Sequence, residues 1–214
     1  MPRLHPPEKT AILALEPFVG IALEHIVVPH NEAQLEAAWA DMSAHRHLGF
    51  DTESKPTFVK GQVSHGPDVV QFATPTRAYV LQLRHPACEA LARAVLAAQH
   101  LVKVGFDLRQ DQAQLHLRLG VQAAPLIDLD REFNRQGYAR SIGIKSAVAI
   151  VFGQRFVKSK RITTTNWATP KLNARQLLYA ANDAWVALHV LQALGQEPVG
   201  LGVGPAPGRV SVPG

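Results

Sequence analysis

The chain has 214 residues, 47% of them hydrophobic and 18% charged, with a formal net charge of +5. That is enough for one domain with its own core, and the composition excludes a disordered chain. The positive balance favours an anionic partner, of which nucleic acid is the commonest. A single cysteine, Cys88, excludes internal disulfides and a thiolate zinc site. No run approaches the roughly 18 consecutive apolar residues of a membrane span. The N-terminal MPRLHPPEKT has no secretory pattern, so a cytoplasmic protein that does not engage a membrane is expected.

Residues 1–25 read as an extension packed on the domain, with one amphipathic run, KTAILALEPFVG. EHIVVPH follows as a short strand, and Asn31 caps a helix over EAQLEAAWADMSA. HLGFDTE is a strand, and PDVVQFATPTRAYVLQL is a hairpin turning at Thr74 to Arg77. Pro86 opens a helix that runs to His100. LVKVG is a buried strand. The helix LRQDQAQLHLRLG comes next, with Asp107 as its capping acid and Gly120 as its stop. APLID is a further strand candidate, and helices are expected over Leu129–Tyr138 and IGIKSAVAIVFG. A long helix covers NARQLLYAANDAWVALHVLQALG, from the cap Asn173 to Gly195. Half of residues 197–214 are Gly or Pro, a composition that buries no core and reads as a flexible tail. The order predicts an α/β domain over 26–196, whose mixed sheet joins an antiparallel hairpin to parallel strands and is flanked by helices.

Asp51 and Glu53 stand two apart on one strand, hence on one face. Their repulsion needs a basic side chain, a shared proton, a metal ion or open solvent. Alone, the pair is no more than a common exposed strand end. A third acid, Asp111, lies a turn into the helix after LVKVG, where it faces back across the sheet end. On the long helix, Tyr179 and Asp183 are four apart and share a face.

Together, Asp51, Glu53, Asp111, Tyr179 and Asp183, in this order, resemble the 3′–5′ exonucleases of the DEDD superfamily in its tyrosine subtype. FDTE resembles their first motif, KVGFDLRQDQAQL the second and YAANDA the third, over about residues 26–196. Where the histidine subtype carries its histidine, this chain has Leu178. DTESKPTF and TTTNWATPKLNARQLLYAANDA look more like the Werner-syndrome-type exonuclease domain than like ribonuclease D.

The resemblance implies a ribonuclease H-like fold and hydrolysis from the 3′ end that releases nucleoside 5′-monophosphates. It also implies two Mg²⁺ or Mn²⁺ ions. Asp51, Glu53 and Asp183 are then direct ligands, Asp111 holds the second ion, and Tyr179 orients the attacking water. DNA with a single-stranded or recessed 3′ end is the favoured substrate, and ribonuclease D-like trimming of RNA is the alternative. A non-catalytic nucleic-acid-binding module of the same fold is the rival from another class. A polyanion entering an acidic site needs a basic rim. Lys55, Lys103, Arg109, Lys158, Lys160 and Arg161 are the candidates, with Arg155 and Lys145 beside them. Phe58 and Trp167 are candidates for base stacking.

Overall fold

The computed structural model describes residues 3–56 and 65–196. Six strands form one sheet in the order β1-β4-β3-β2-β5-β6. These are β1 Ile26–Val27, β2 His47–Glu53, β3 Val69–Ala73, β4 Ala78–Gln82, β5 Val102–Gly105 and β6 Leu126–Asp128. β3 is antiparallel to both β2 and β4, while β1 on β4, β5 on β2 and β6 on β5 are parallel. β3 and β4 are buried at every residue, as their near-continuous apolar runs VVQFA and AYVLQ require of strands covered on both faces. The expected mixed sheet is present, and the hairpin turn falls at Thr74–Arg77, closed by the Thr74 N–H donating to the Arg77 carbonyl.

One face packs on α2 Glu32–Ser43, α3 Pro86–Ala97 and α4 Leu108–Leu119, which meet Leu48, Phe50, Phe72 and Leu81. The other face carries α8, Ala174–Gln196, with α5 Leu129–Arg135 and α6 Ile144–Phe152 beside it. Two short helices, α1 Lys9–Leu13 and α7 Lys160–Thr163, and a 3-10 turn at Leu23–His25 are the other helical segments among the described residues. α7 was not legible in the sequence. None of the described helices is long and apolar enough to cross a membrane.

Local chemistry sets most boundaries. Asn31 accepts from the Gln34 N–H at the start of α2. Asn173 and Gln176 cap α8 reciprocally, each side chain accepting the other's backbone N–H at 3.1 Å. Gly120 ends α4 at φ 63. Several expectations change, as α3 stops at Ala97, short of His100, and α5 at Arg135, short of Tyr138. α8 runs through Gly195 to Gln196. Asp107 does not cap α4 with its own side chain; it sits at φ 51, and Asp128 caps the helix instead, accepting from the Asp107 and Leu108 N–H groups. Asp128 ends β6 directly beside Gly105, which places its carboxylate under the first turn of α4.

α8 lies very close to β2. A Cβ on Gly49 would stand 1.9 Å from the Ala184 carbonyl oxygen. Ala180, Ala181, Ala184 and Ala187 are buried along α8, so small side chains let helix and strand approach. Gly49→Ala is therefore expected to lower stability by about 1–3 kcal/mol, because α8 must lift off the strand. An unchanged urea midpoint would refute the close approach.

Candidate active site

The acids meet at the C-terminal end of β2. Asp51 and Glu53 lie in register with Gln71 and Val69 of β3, on the face that α8 covers. Asp183 reaches them from α8 because its two neighbours are both pinned. Ala184 rests on Gly49, and the Asn182 carboxamide oxygen accepts from the Ile21 N–H at 2.9 Å. Carboxylate oxygens of Asp51, Glu53 and Asp183 all lie within 4.8 Å of one another. Thr52 points the opposite way, and its hydroxyl donates to Asp111 on α4. Asp111 thus stands beside the three-acid cluster and is not one of its members.

The cluster already holds one cation. Lys158 Nζ is 2.6 Å from Asp183 Oδ2 and 4.9 Å from the centre of the Tyr179 ring. The sequence reading placed Lys158 on the rim; the structure places it within the acid cluster. Beside it Phe156 is buried and Val157 is 67% exposed, a difference that the local run QRFVKSKR does not show. The Tyr179 hydroxyl is 2.7 Å from the Thr163 hydroxyl, and its ring packs on Trp167.

One ammonium does not balance three carboxylates. Burial, then Asp183, Glu53 and Asp111, push Asp51 well above the usual carboxylate range, against the pull of Lys158. Burial and Asp183 push Glu53 up to about 8. Burial raises Asp183 and Asp111 as well, although Lys158 opposes the first shift and the Thr52 hydroxyl the second. Burial works against the charge of Lys158, but Asp183 and Asp51 outweigh it and hold the ammonium above its ordinary value. Burial and Asp183 likewise raise Tyr179, so it is no ready base.

Three carboxylates this close together need more positive charge than one ammonium supplies. The donors are all carboxylate oxygens, the chemistry that hard divalent cations such as Mg²⁺ and Mn²⁺ select. The residues fit such an ion.

A cavity of about 420 Å³ opens beside Lys158, Tyr179 and Asp183, with Arg161 and Arg175 on its wall. Arg175, at the start of α8, was missed in the sequence because nothing there separates it from an ordinary helix-surface arginine. Lys55, Arg109 and Lys160 are exposed. Phe58 lies outside the described residues, as does the segment 197–214.

Two of the expected contacts are corrected. Trp167 is 0% exposed, with its indole N–H on the Thr163 carbonyl, so it supports Tyr179 from the core and offers no face to a base. Lys103 is also 0% exposed, its ammonium donating to the carbonyls of Ala98, Leu101 and Ala124, and burial pushes it down to about 8. Lys103→Met should cost about 2 kcal/mol, as three carbonyls lose their donor. Strand affinity should be unchanged. A loss of affinity with an intact urea midpoint would return Lys103 to the rim.

The sheet order, with α8 laid across the face that bears the acids, is the ribonuclease H-like fold. The 3′–5′ exonuclease family model matches residues 26–197, and the chain belongs to that family. It is 28% identical over 160 residues to a 3′–5′ exonuclease of Arabidopsis thaliana, covering 74% of this chain and 56% of that protein. It is 25% identical over 150 residues to the bifunctional 3′–5′ exonuclease/ATP-dependent helicase WRN of Mus musculus, covering 69% of this chain and 11% of that one. Trypanosoma brucei RNase D, solved in complex with RNA U12, superposes with a TM-score of 0.69 at 20% identity, over 89% of this chain and 66% of its own. The chain thus spans about half the length of the plant relative and a small part of the helicase-bearing one.

Proposed function

We propose that this chain is a metal-dependent 3′–5′ exonuclease of the DEDD tyrosine subtype, acting on the 3′ end of a nucleic-acid strand. The observation that carries the reading is the convergence of Asp51, Glu53 and Asp183 within 4.8 Å, with Tyr179 one helical turn before Asp183. Asp51, Glu53 and Asp183 would hold a divalent ion, Mg²⁺ or Mn²⁺, and Asp111 would help to hold a second. When bound, those ions activate water and stabilise the charge that develops at the phosphodiester.

The protein's own groups do the rest. The Tyr179 hydroxyl, kept protonated and fixed by Thr163, orients the attacking water by a hydrogen bond. Lys158 neutralises part of the acid cluster before cations arrive. Arg161 and Arg175 line the cavity where the strand's phosphates enter, and Lys55, Arg109 and Lys160 extend the positive surface around it.

DNA is the leading substrate, on the likeness of DTESKPTF to the Werner-type branch. A second reading, RNA trimming, is supported by the superposition on an RNase D bound to RNA. Matched DNA and RNA strands of one sequence, labelled at the 3′ nucleotide, separate them. Label released as deoxynucleoside 5′-monophosphate at the higher kcat/KM supports DNA; faster release of the ribonucleotide overturns it in favour of RNA.

A further inference from the structure

A second cavity, of about 460 Å³, meets the one beside Tyr179 at Phe156, Val157 and Lys158. Three stretches far apart in sequence build it: the N-terminal extension around Lys9, the first turn of α6 at Lys145, and Arg155 just after α6. Its charged lining residues are Lys9, Lys145, Arg155 and Lys158, with no carboxylate among them. Among the described residues, no carboxylate forms a close ion pair with Lys9, Lys145 or Arg155, and Lys145 acts on Asp183 only at longer range.

The pocket is built on fixed backbone. Arg155 is tied into the extension on both sides, its N–H donating to the Glu16 carbonyl and its carbonyl accepting from the Phe18 N–H. Its side chain is held as well, with Nη1 donating to the Leu13 carbonyl at 3.3 Å. Arg155 lines the cavity, and a phosphate is an acceptor whose geometry matches a guanidinium fork.

We propose that this pocket is a phosphate-binding subsite, in which Lys9, Lys145 and Arg155 hold a nucleotide phosphate next to Lys158 and the acid cluster. The inference rests on the exonuclease reading for the identity of the ligand. The chemistry of the pocket defines a phosphate, whose source is either the strand being degraded or the released mononucleotide. It also assigns the N-terminal extension a part in the site, since Lys9 and Leu13 belong to it.

Lys9 and Lys145 are exposed, so Lys9→Glu and Lys145→Glu change charge without touching the core. Arg46→Glu makes the same charge change at the opposite end of β2 and serves as the control. The full chain is titrated, with Ca²⁺ replacing Mg²⁺, into a 5′-fluorescein single strand of twelve nucleotides and read by anisotropy. Adenosine 5′-monophosphate is then tested as a competitor. If the pocket holds a strand phosphate, each pocket variant binds the strand about five- to tenfold more weakly. The salt slope should become shallower by about 0.7 for each phosphate that is no longer neutralised, and the control should match the parent. If it holds the product phosphate, strand affinity is kept and competition by the monophosphate weakens instead. Pocket variants indistinguishable from Arg46→Glu in both arms overturn the subsite. Parent hydrolysis of the same strand in Mg²⁺ is scored separately. A parent that degrades nothing refutes the exonuclease reading, while the binding arms still decide the pocket.

Discussion

Asp51→Asn is expected to reduce strand hydrolysis at least about a thousandfold, roughly 4 kcal/mol of barrier, while making the metal-free protein more stable. The two effects share one cause. Asp51 is half-buried against Asp183 and Glu53 and carries charge at the expense of desolvation and repulsion. An amide of the same shape removes one excess negative charge and leaves the Lys158 to Asp183 pair at 2.6 Å intact. Stability in EDTA at pH 8 should rise by about 1–3 kcal/mol, and the added stability that Mn²⁺ gives the parent should be largely lost. Thermal midpoints with and without Mn²⁺ check both. A variant that is less stable in EDTA would show that Asp51 is not under electrostatic strain.

Lys158→Met should do the opposite to the metal-free protein. Asp183 is 4% exposed, and Lys158 is its closest counter-charge. Removing one partner of a buried pair leaves the other uncompensated, which costs about 3 kcal/mol. The loss should grow with pH. Glu53 is pushed up to about 8, so between its ordinary value near 4.5 and 8 the folded protein keeps a proton that the unfolded chain has released. The contribution of Glu53 to stability is then greatest below about pH 4.5 and falls as pH rises to 8. Without Lys158 the fall should be steeper, because nothing opposes the repulsion, and Mn²⁺ should restore most of what is lost. Midpoints measured from pH 5 to pH 8 in EDTA decide it. A pH-independent loss would mean that Lys158 acts through packing alone.

What the sequence disclosed was local. Asn31, Gly120 and the Thr74–Arg77 turn are read from residue type and spacing, and the structure keeps all three. The acids of β2 were visible because a period of two puts Asp51 and Glu53 on one face, and Asp183 because it follows Tyr179 by one turn. The misses depend on meetings between segments far apart. Lys103 sits in LVKVG, a strand covered on both faces, so alternation could not say whether its ammonium reached solvent or the three carbonyls it binds. Trp167 looked free to stack because nothing local shows that it fills the space behind Tyr179. The cap on α4 comes from Asp128, 21 residues beyond Asp107, and only the β5–β6 pairing brings them together. Lys158 is the instructive case. The pair Asp51 and Glu53 required a positive charge, and the sequence reading assigned that part to metal alone. The fold supplies a lysine as well.

The central claim is that the acid cluster binds divalent metal in order to hydrolyse a strand from its 3′ end. The direct measurement is the digestion of a 5′-labelled single strand by the full chain in Mg²⁺, Mn²⁺ or EDTA, resolved by length. The account predicts a ladder shortening one nucleotide at a time from the 3′ end in either metal, and an intact strand in EDTA. Equal digestion in EDTA, or intact DNA and RNA strands in both metals, would contradict it.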